Sequence, residues 1–294
     1  MTHTPCQPWA RGTTRRVWLW VCAALVGCAQ VPPPVAAPPL GPSWAALRRT
    51  PVLILGEQHD ADQHQAWQTQ VVRHLGLQRD LAALVLEMAD AGRNTRGLAT
   101  STDEATTRAA LDWDDRAWPW QRYGPTVMAA VRAGVVVWGG NLPRSAMAAA
   151  MGDTAIDDWL GADTWAHHLR TIDLAHCGLM PAAQLPRMAR VQLARDRQMA
   201  QAVLQAWRPQ QVVVLVTGNE HARRQTGVPR HLALLPQPWP GTAGPVRVVH
   251  MQTGTNEALQ GTLGDTDTVW TSPALPAQDH CARLRPNPTP PAPR

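Results

Sequence analysis

The sequence predicts an α/β fold in which a largely parallel central sheet is flanked by helices, with helical insertions over the carboxyl ends of the strands. Four apolar runs indicate the sheet, because continuous runs rich in β-branched residues are typical of strands buried on both faces. Long segments between the runs leave room for the crossover helices that parallel strands require. The four runs cover residues 51–55, 84–86, 135–138 and 212–216.

The remaining elements follow from residue spacing and from residues that begin or end helices. A helix is predicted over residues 62–76, where apolar side chains recur on one face. A second helix is expected to open at Tyr123, with Pro125 in its first turn, and to end at Gly134. A long helix, a fifth strand and two helical insertions are also predicted. They cover residues 182–207, 246–251, 95–120 and 147–176.

The N-terminus has the pattern of a secretory signal peptide. Three arginines precede an apolar stretch, residues 17–26, which is too short to span a bilayer as a mature helix. The segment Leu25-Val26-Gly27-Cys28 resembles the lipobox of bacterial lipoproteins, in which the cysteine is lipidated and becomes the first mature residue. The alternative is an ordinary cleavage site with a chance cysteine. We expect residues 1–27 to be a lipoprotein signal peptide and Cys28 to carry palmitate.

Composition predicts the domain boundaries. Residues 28–43 comprise the lipidated cysteine and a proline-rich tether, and residues 44–284 are expected to form a single α/β domain of roughly 250 residues. Residues 285–294 are predicted to be a disordered tail. Because Ala29 is not an acidic inner-membrane retention signal, we expect the periplasmic face of the outer membrane in preference to the inner membrane.

Charge and cysteine content indicate which partners to expect and how the two remaining cysteines are used. The formal net charge of +5 falls to near +2 without the signal-peptide arginines, and no basic block is present, so nucleic acid is not an expected partner. Two cysteines, Cys177 and Cys281, remain in the domain, and in an oxidising periplasm such thiols are more often paired than free. The alternative is that Cys177, beside His176, is a nucleophile or a metal ligand.

Polar side chains at the strand ends are predicted to meet in one crevice, because ligands of open α/β sheets bind outside the carboxyl ends of the strands. The segment 56–59 (GEQH) follows the first strand and the segment 218–221 (GNEH) follows the fourth. Alone, a G-E-x-H segment is weak evidence for a ligand-binding site, but Glu87 adds a second carboxylate at a strand end. The predicted pocket residues are Glu57, His59, His64, Glu87, Asn141, Arg144, His176, Asp196, Asn219, His221 and Arg223.

These motifs resemble those of the ChaN-like haem-binding lipoproteins, which are related more distantly to the erythromycin-esterase-like enzymes. The resemblance extends over nearly all of the mature domain, in the expected order, and includes the lipobox. The matching segments are LGEQHDADQHQ (55–65), LVLEM (84–88), YGP…GGNLPR (123–144), the HC pair at 176–177, QLARDRQMA (192–200) and GNEHARRQTGVPRHL (218–232).

The resemblance implies a bacterial cell-envelope lipoprotein that binds haem, as Fe(III), for uptake, relay or storage. Proteins of the family are described as holding two stacked haems between two protomers, with a tyrosine as axial ligand and basic side chains on the propionates. Tyr123, the single tyrosine, is then the expected axial and metal ligand, since phenolate suits Fe(III). The chain lacks the lysine of the family's propionate site. A homodimer formed on haem binding and an outer-membrane haem or iron receptor are the expected partners.

Alternatives stay open for these residues. Tyr123 is otherwise a half-buried aromatic that tips its hydroxyl toward water. Glu57, His59, Glu87 and His221 together form a plausible acid–base or divalent-metal set, so the rival function is a metal-assisted hydrolase. Neither H-E-x-x-H spacing nor a serine elbow motif supports that enzyme. A structural lipoprotein without a ligand leaves the strand-end polar groups unexplained, so a binding protein is the expectation.

Replacing Cys28 tests the lipoprotein prediction. Cys28→Ser removes the thiol that receives the lipid, so the protein is expected to move from the membrane fraction to the soluble periplasmic fraction. Fractionation followed by immunoblotting measures this shift. A variant that stays with the membrane and is processed as before would show that the assignment is wrong.

Overall fold

The computed structural model describes Pro38 and residues 44–240, 246–254 and 266–282. The predicted signal peptide, Cys28, the tether apart from Pro38, and the tail at 285–294 lie outside the described residues and stay predictions. Among the residues that are described, no helix is both long and apolar enough to cross a membrane.

Within the described ranges six strands form one sheet, and every pairing between these strands is parallel, which confirms the predicted fold class. In chain-order numbering, the strands lie side by side in the order β3-β2-β4-β1-β5-β6. Their bounds are β1 Val52–Glu57, β2 Leu81–Asp90, β3 Val137–Asn141, β4 Val212–Gly218, β5 Arg247–Thr253 and β6 Thr268–Ser272.

Helices cover both faces of this sheet. Their bounds are α1 Trp44–Leu47, α2 Asp62–Gln78, α3 Glu104–Leu111, α4 Trp120–Arg132, α5 Arg144–Gly152, α6 Ala162–Ala175, α7 Leu185–Ala206, α8 Asn219–Ala222 and α9 Val228–Leu234. Short 3₁₀ helices at Thr154–Asp158 and Ala182–Gln184 precede α6 and α7.

Two hydrophobic cores lie on opposite faces of the sheet, because successive side chains of a strand point to opposite sides. Leu53 and Leu55 of β1 pack in the core that includes α2 and α4. Val52 and Ile54 of the same strand pack in the core that includes α7 and α9. Burial on both faces explains why β1 and β4 are continuous apolar runs in the sequence.

Two of the differences between the structure and the sequence prediction concern β6 and α4. Strand β6 was not predicted, because it is five residues long and lies at the sheet edge, where only some of its side chains are buried. Helix α4 begins at Trp120 and not at Tyr123, because the Asp115 carboxylate accepts a hydrogen bond from the Trp120 backbone N–H at 2.7 Å. Pro125 therefore lies beyond the first turn.

The register of the sheet brings distant strand ends together. Glu57, the last residue of β1, is the register partner of Gly218, the last residue of β4. Strand β2 pairs with the other edge of β4, so Glu87 also approaches Gly218. Parallel pairing thus places three predicted polar strand ends at one edge of the sheet, with α6 and α7 beside them.

Candidate functional site

A cleft of about 760 Å³ opens at the carboxyl ends of β1, β2 and β4, within the usual size range of ligand pockets. Apolar side chains and five histidines share its walls. The lining residues are Glu57, Gln58, His59, Asp60, Glu87, Trp118, His168, Thr171, Ile172, Ala175, His176, Gln192, Arg195, Gly218, Asn219, Glu220, His221 and His280.

Glu57 lies at the bottom of the cleft and is almost fully buried. Its carboxylate accepts hydrogen bonds from the side-chain amides of Gln65 and Gln68, at 2.8 and 2.6 Å. It also accepts the Tyr123 hydroxyl at 2.7 Å and lies 2.8 Å from Nδ1 of His59. Because α2 carries both glutamines and α4 carries the tyrosine, two helices fix this carboxylate from within the core.

His59 presents an imidazole to the cleft. Its Nδ1 donates to Glu57, and its ring makes an edge contact with Trp118 at 5.0 Å between centroids. Burial opposes protonation of the ring, but the hydrogen bond to Glu57 and the charge of Glu87 outweigh it and raise the His59 pKa. Among the described residues Nε2 has no hydrogen-bond partner. This is the carboxylate–histidine arrangement that orients imidazoles toward metals.

Gly218 lies directly beside this imidazole. A Cβ at position 218 would lie 2.8 Å from Nε2 of His59, too close for the ring to keep its position. The backbone N–H of Gly218 also donates to Glu87 at 2.7 Å. Gly218 therefore leaves room for the His59 ring and also donates a hydrogen bond to Glu87.

Glu87 anchors the opposite wall of the cleft. Its carboxylate accepts hydrogen bonds from Arg195 at 2.9 Å, from the Thr217 hydroxyl at 2.8 Å and from the Gly218 backbone. Complete burial would by itself raise the Glu87 pKa, but the nearby charges of His221 and Arg195 lower it to about 2. Glu87 is therefore a stable anion that holds a cation at the cleft wall.

Two further side chains, Asn141 and Asp196, hold the charged partners of Glu87 in place. Asn141 at the end of β3 accepts a hydrogen bond from Nε of Arg195 at 2.8 Å, which fixes the guanidinium from a second side. Asp196 lies 2.6 Å from Nδ1 of His221, whose Nε2 is 3.5 Å from Glu87. Burial lowers the His221 pKa, but Glu87 and Asp196 outweigh it, so that the pKa is raised.

Protein donors surround the two carboxylates of the site. Among the residues that the structure describes, no group of three or more His, Cys, Asp or Glu side chains is arranged to hold a metal ion. Glu57 and Glu87 each accept several hydrogen bonds from protein groups, which leaves little of either carboxylate for a cation.

The predicted site residues fall into three groups. Six line the cleft, namely Glu57, His59, Glu87, His176, Asn219 and His221. Three lie behind the wall and hold other groups: Asn141 and Asp196 as above, and His64, which bonds Gln58 and Ser272. The remaining residues, Arg144, Arg223 and Tyr123, are not part of the cleft lining.

Tyr123 is the main departure from the expected site. Helix α4 packs against α2 on one face of the sheet, so the Tyr123 side chain reaches Glu57 through the core and is 1% exposed. Burial and the Glu57 carboxylate both raise the pKa of its hydroxyl, which disfavours the phenolate expected for an iron ligand. In this structure Tyr123 orients Glu57.

Arg144 is likewise displaced from the predicted pocket. It begins α5 and is exposed, and the preceding strand β3 lies at the edge of the sheet, separated from β1 by β2 and β4. Arg223 is partly buried and lies 3.9 Å from Glu220.

Several cleft residues escape sequence-based assignment. Arg195 occupies the cleft where Arg144 was expected. It adjoins the predicted Asp196 in the family-matching segment 192–200, and its helical spacing from Gln192 puts both on one face of α7. Trp118 is one of three tryptophans in residues 113–120, and it lines the cleft. His280 follows no strand and enters the cleft through the bond between Cys177 and Cys281, which the structure contains.

Glu87→Gln tests the electrostatic role of this carboxylate. A depressed folded-state pKa stabilises the protein above the unfolded pKa, about 4.3, and this stability is lost as the pH falls toward about 2. The variant is expected to lose about 3 kcal/mol at pH 7, because Arg195 and His221 keep buried charges, and to show a shallower acid limb. Urea unfolding across pH 2–7 measures both effects.

Asp163→Asn, at the exposed start of α6, is the matched control and should change stability by less than about 0.5 kcal/mol. If Glu87→Gln kept both the stability and the acid limb of the parent protein, the role given to Glu87 would be contradicted.

Comparison with known proteins identifies the family. The family described as haem-binding uptake, Tiki superfamily, ChaN matches residues 43–232. A solved structure, described as cofacial haem binding to ChaN of Campylobacter jejuni, matches with a TM-score of 0.60 and 21% identity, over 77% of this chain and 88% of that chain. At this identity the match shows a shared fold. No curated protein matches. The family match spans more than half of the chain, so the protein belongs to the ChaN family of haem-binding uptake proteins in the Tiki superfamily.

Proposed function

We propose that the protein binds ferric haem in the cleft at the carboxyl edge of the sheet and acts in haem uptake, relay or storage at the cell envelope. The observation on which this rests is the pairing, in one cleft, of an imidazole with an unpartnered nitrogen and a fixed guanidinium. These groups are His59 and Arg195. Family membership supplies the ligand class.

The residues of the cleft fit the three chemical parts of haem. Trp118, Ile172 and Ala175 offer apolar surface for the porphyrin. Arg195 is a permanent cation for propionate carboxylates, although Glu87 and Asn141 already engage part of its guanidinium. His59 is an axial donor of a common type. Bound haem would supply an iron that accepts such a donor.

His59 is the better candidate for the axial ligand than Tyr123. Tyr123 would have to leave its hydrogen bond to Glu57 and ionise beside that carboxylate, which its raised pKa opposes. His221 is also less suitable, because Asp196 and Glu87 lie against its two ring nitrogens. Glu57 fixes His59 as the Nδ1–H tautomer and leaves Nε2 available.

The wider setting forms part of the same proposal. Lipid on Cys28 would hold the protein at the periplasmic face of the outer membrane, with the tether of residues 28–43 as spacer. The cleft is open to solvent on one side, and a second protomer would cover an exposed haem face by a two-fold pairing. The Campylobacter protein is described as binding haem cofacially, which favours such a homodimer here. An outer-membrane haem or iron receptor is the corresponding partner.

Hemin titration of two variants tests the choice of ligand. His59→Ala is expected to weaken binding by about tenfold or more and to shift the Soret band, because the axial donor is lost. Tyr123→Phe removes only the hydroxyl that orients Glu57, so the ligand type in the spectrum should persist, with a smaller loss of affinity. Absorbance and size-exclusion chromatography, read together, also report dimer formation.

His74→Ala is the matched control, because His74 packs on Trp44 and lies outside the cleft lining. Its affinity and spectrum should equal those of the parent. Loss of the iron–ligand absorption in Tyr123→Phe, with His59→Ala unchanged, would restore Tyr123 as the ligand. Failure of the parent protein to bind hemin would overturn the proposed function itself.

A further inference from the structure

We propose that the disulfide between Cys177 and Cys281 is a redox-controlled clasp that holds His280 in the lining of the cleft and presents it to the haem. The proposal rests on haem binding in this cleft and adds a ligand-contacting residue, and its control by a reductant, to that site. We call residues 273–282 the strap.

The two half-cystines share an unusual local pattern. Each directly follows a histidine, as His176-Cys177 and His280-Cys281, although the bond joins positions 104 residues apart. Both histidines line the same cleft. The covalent bond therefore holds the chain beside His280 against the chain beside His176, so that two imidazoles from distant parts of the sequence line one cleft.

The strap depends on the disulfide for its position. It follows β6 without forming a helix or strand, and residues 273–280 are exposed. A turn at Asp279, whose side chain accepts the Cys281 backbone N–H at 3.0 Å, orders the end that carries the half-cystine. Exposed segments with few packed side chains usually open readily. We infer that the bond holds His280 at the cleft.

The partner histidine is held independently of the disulfide. His176 caps α6, and its Nδ1 donates to the Ile172 carbonyl at 2.8 Å. Cys177 has a φ of 60° and ends α6 in the left-handed position where glycine is usual. Opening the disulfide is therefore expected to release His280 and to leave His176 in place.

An external dithiol supplies the electrons and protons that open the disulfide. The disulfide accepts two electrons and two protons from the reductant, the S–S bond breaks and two thiols form, while the dithiol becomes a disulfide. The strap is then free to leave the cleft. Haem retention should fall, because one imidazole is lost from the cleft lining.

The first experiment compares oxidised and reduced protein without haem. Thiol labelling after denaturation defines the two states, with no free cysteine in the domain expected before reduction. Hydrogen exchange should then become at least tenfold faster in the strap on reduction, while exchange in α6 stays unchanged. Equal exchange of the strap in both states would overturn the proposal.

The second experiment measures dissociation of hemin from the same two forms. Reduction and Cys281→Ser should each speed dissociation by about tenfold, and Cys281→Ser leaves the end of α6 intact if Cys177→Ser disturbs folding. His280→Ala should act in the same direction with the disulfide present. Gln278→Ala, in the strap but outside the cleft lining, is the matched control and should have no effect.

The outcomes separate this inference from the proposed function. Suppose that the oxidised parent binds hemin, but that dissociation is unchanged by reduction, by Cys281→Ser and by His280→Ala. The proposed clasp would then be wrong, and the proposal of haem binding would stand. If the oxidised parent binds no hemin, the proposed function fails and with it the role given to His280.

Discussion

Burial of two carboxylates at the ends of neighbouring strands is the constraint on which the site depends. Glu57 and Glu87 are each 2% exposed, and a buried carboxylate is costly unless donors surround it. Neutral donors from α2 and α4 surround Glu57. Arg195, a hydroxyl and a backbone N–H surround Glu87. Because helices supply donors to both carboxylates, this requirement fixes where those helices must lie at the carboxyl edge of the sheet.

The difference between the two donor sets gives the cleft two chemically distinct sides. Because the donors to Glu57 are neutral, its negative charge acts on His59 and raises the His59 pKa. Glu87 instead has a cation as a direct partner and holds Arg195 at the wall. One side thus offers an oriented imidazole and the other a fixed guanidinium, which matches a ligand with a metal centre and acidic substituents.

The sequence predicts the sheet and the location of the site well, because buried parallel strands are continuous apolar runs and their ends must share one edge. It fails where tertiary packing decides. Tyr123 lies in a motif beside the site, but only the packing of α4 on α2 shows that its hydroxyl faces Glu57 and not the cleft. Arg195 and His280 reach the cleft from a helix face and through a disulfide, and neither position follows from strand-end patterns.

Diffraction from crystals of the haem-loaded, oxidised protein, with anomalous scattering at the iron edge, tests the central claim most directly. We expect one iron peak per protomer in the cleft, bonded to Nε2 of His59, with the hydrogen bond between His59 and Glu57 retained. An iron peak outside the cleft, or one bonded to a Tyr123 oxygen that has left Glu57, would contradict the role assigned to the two buried carboxylates.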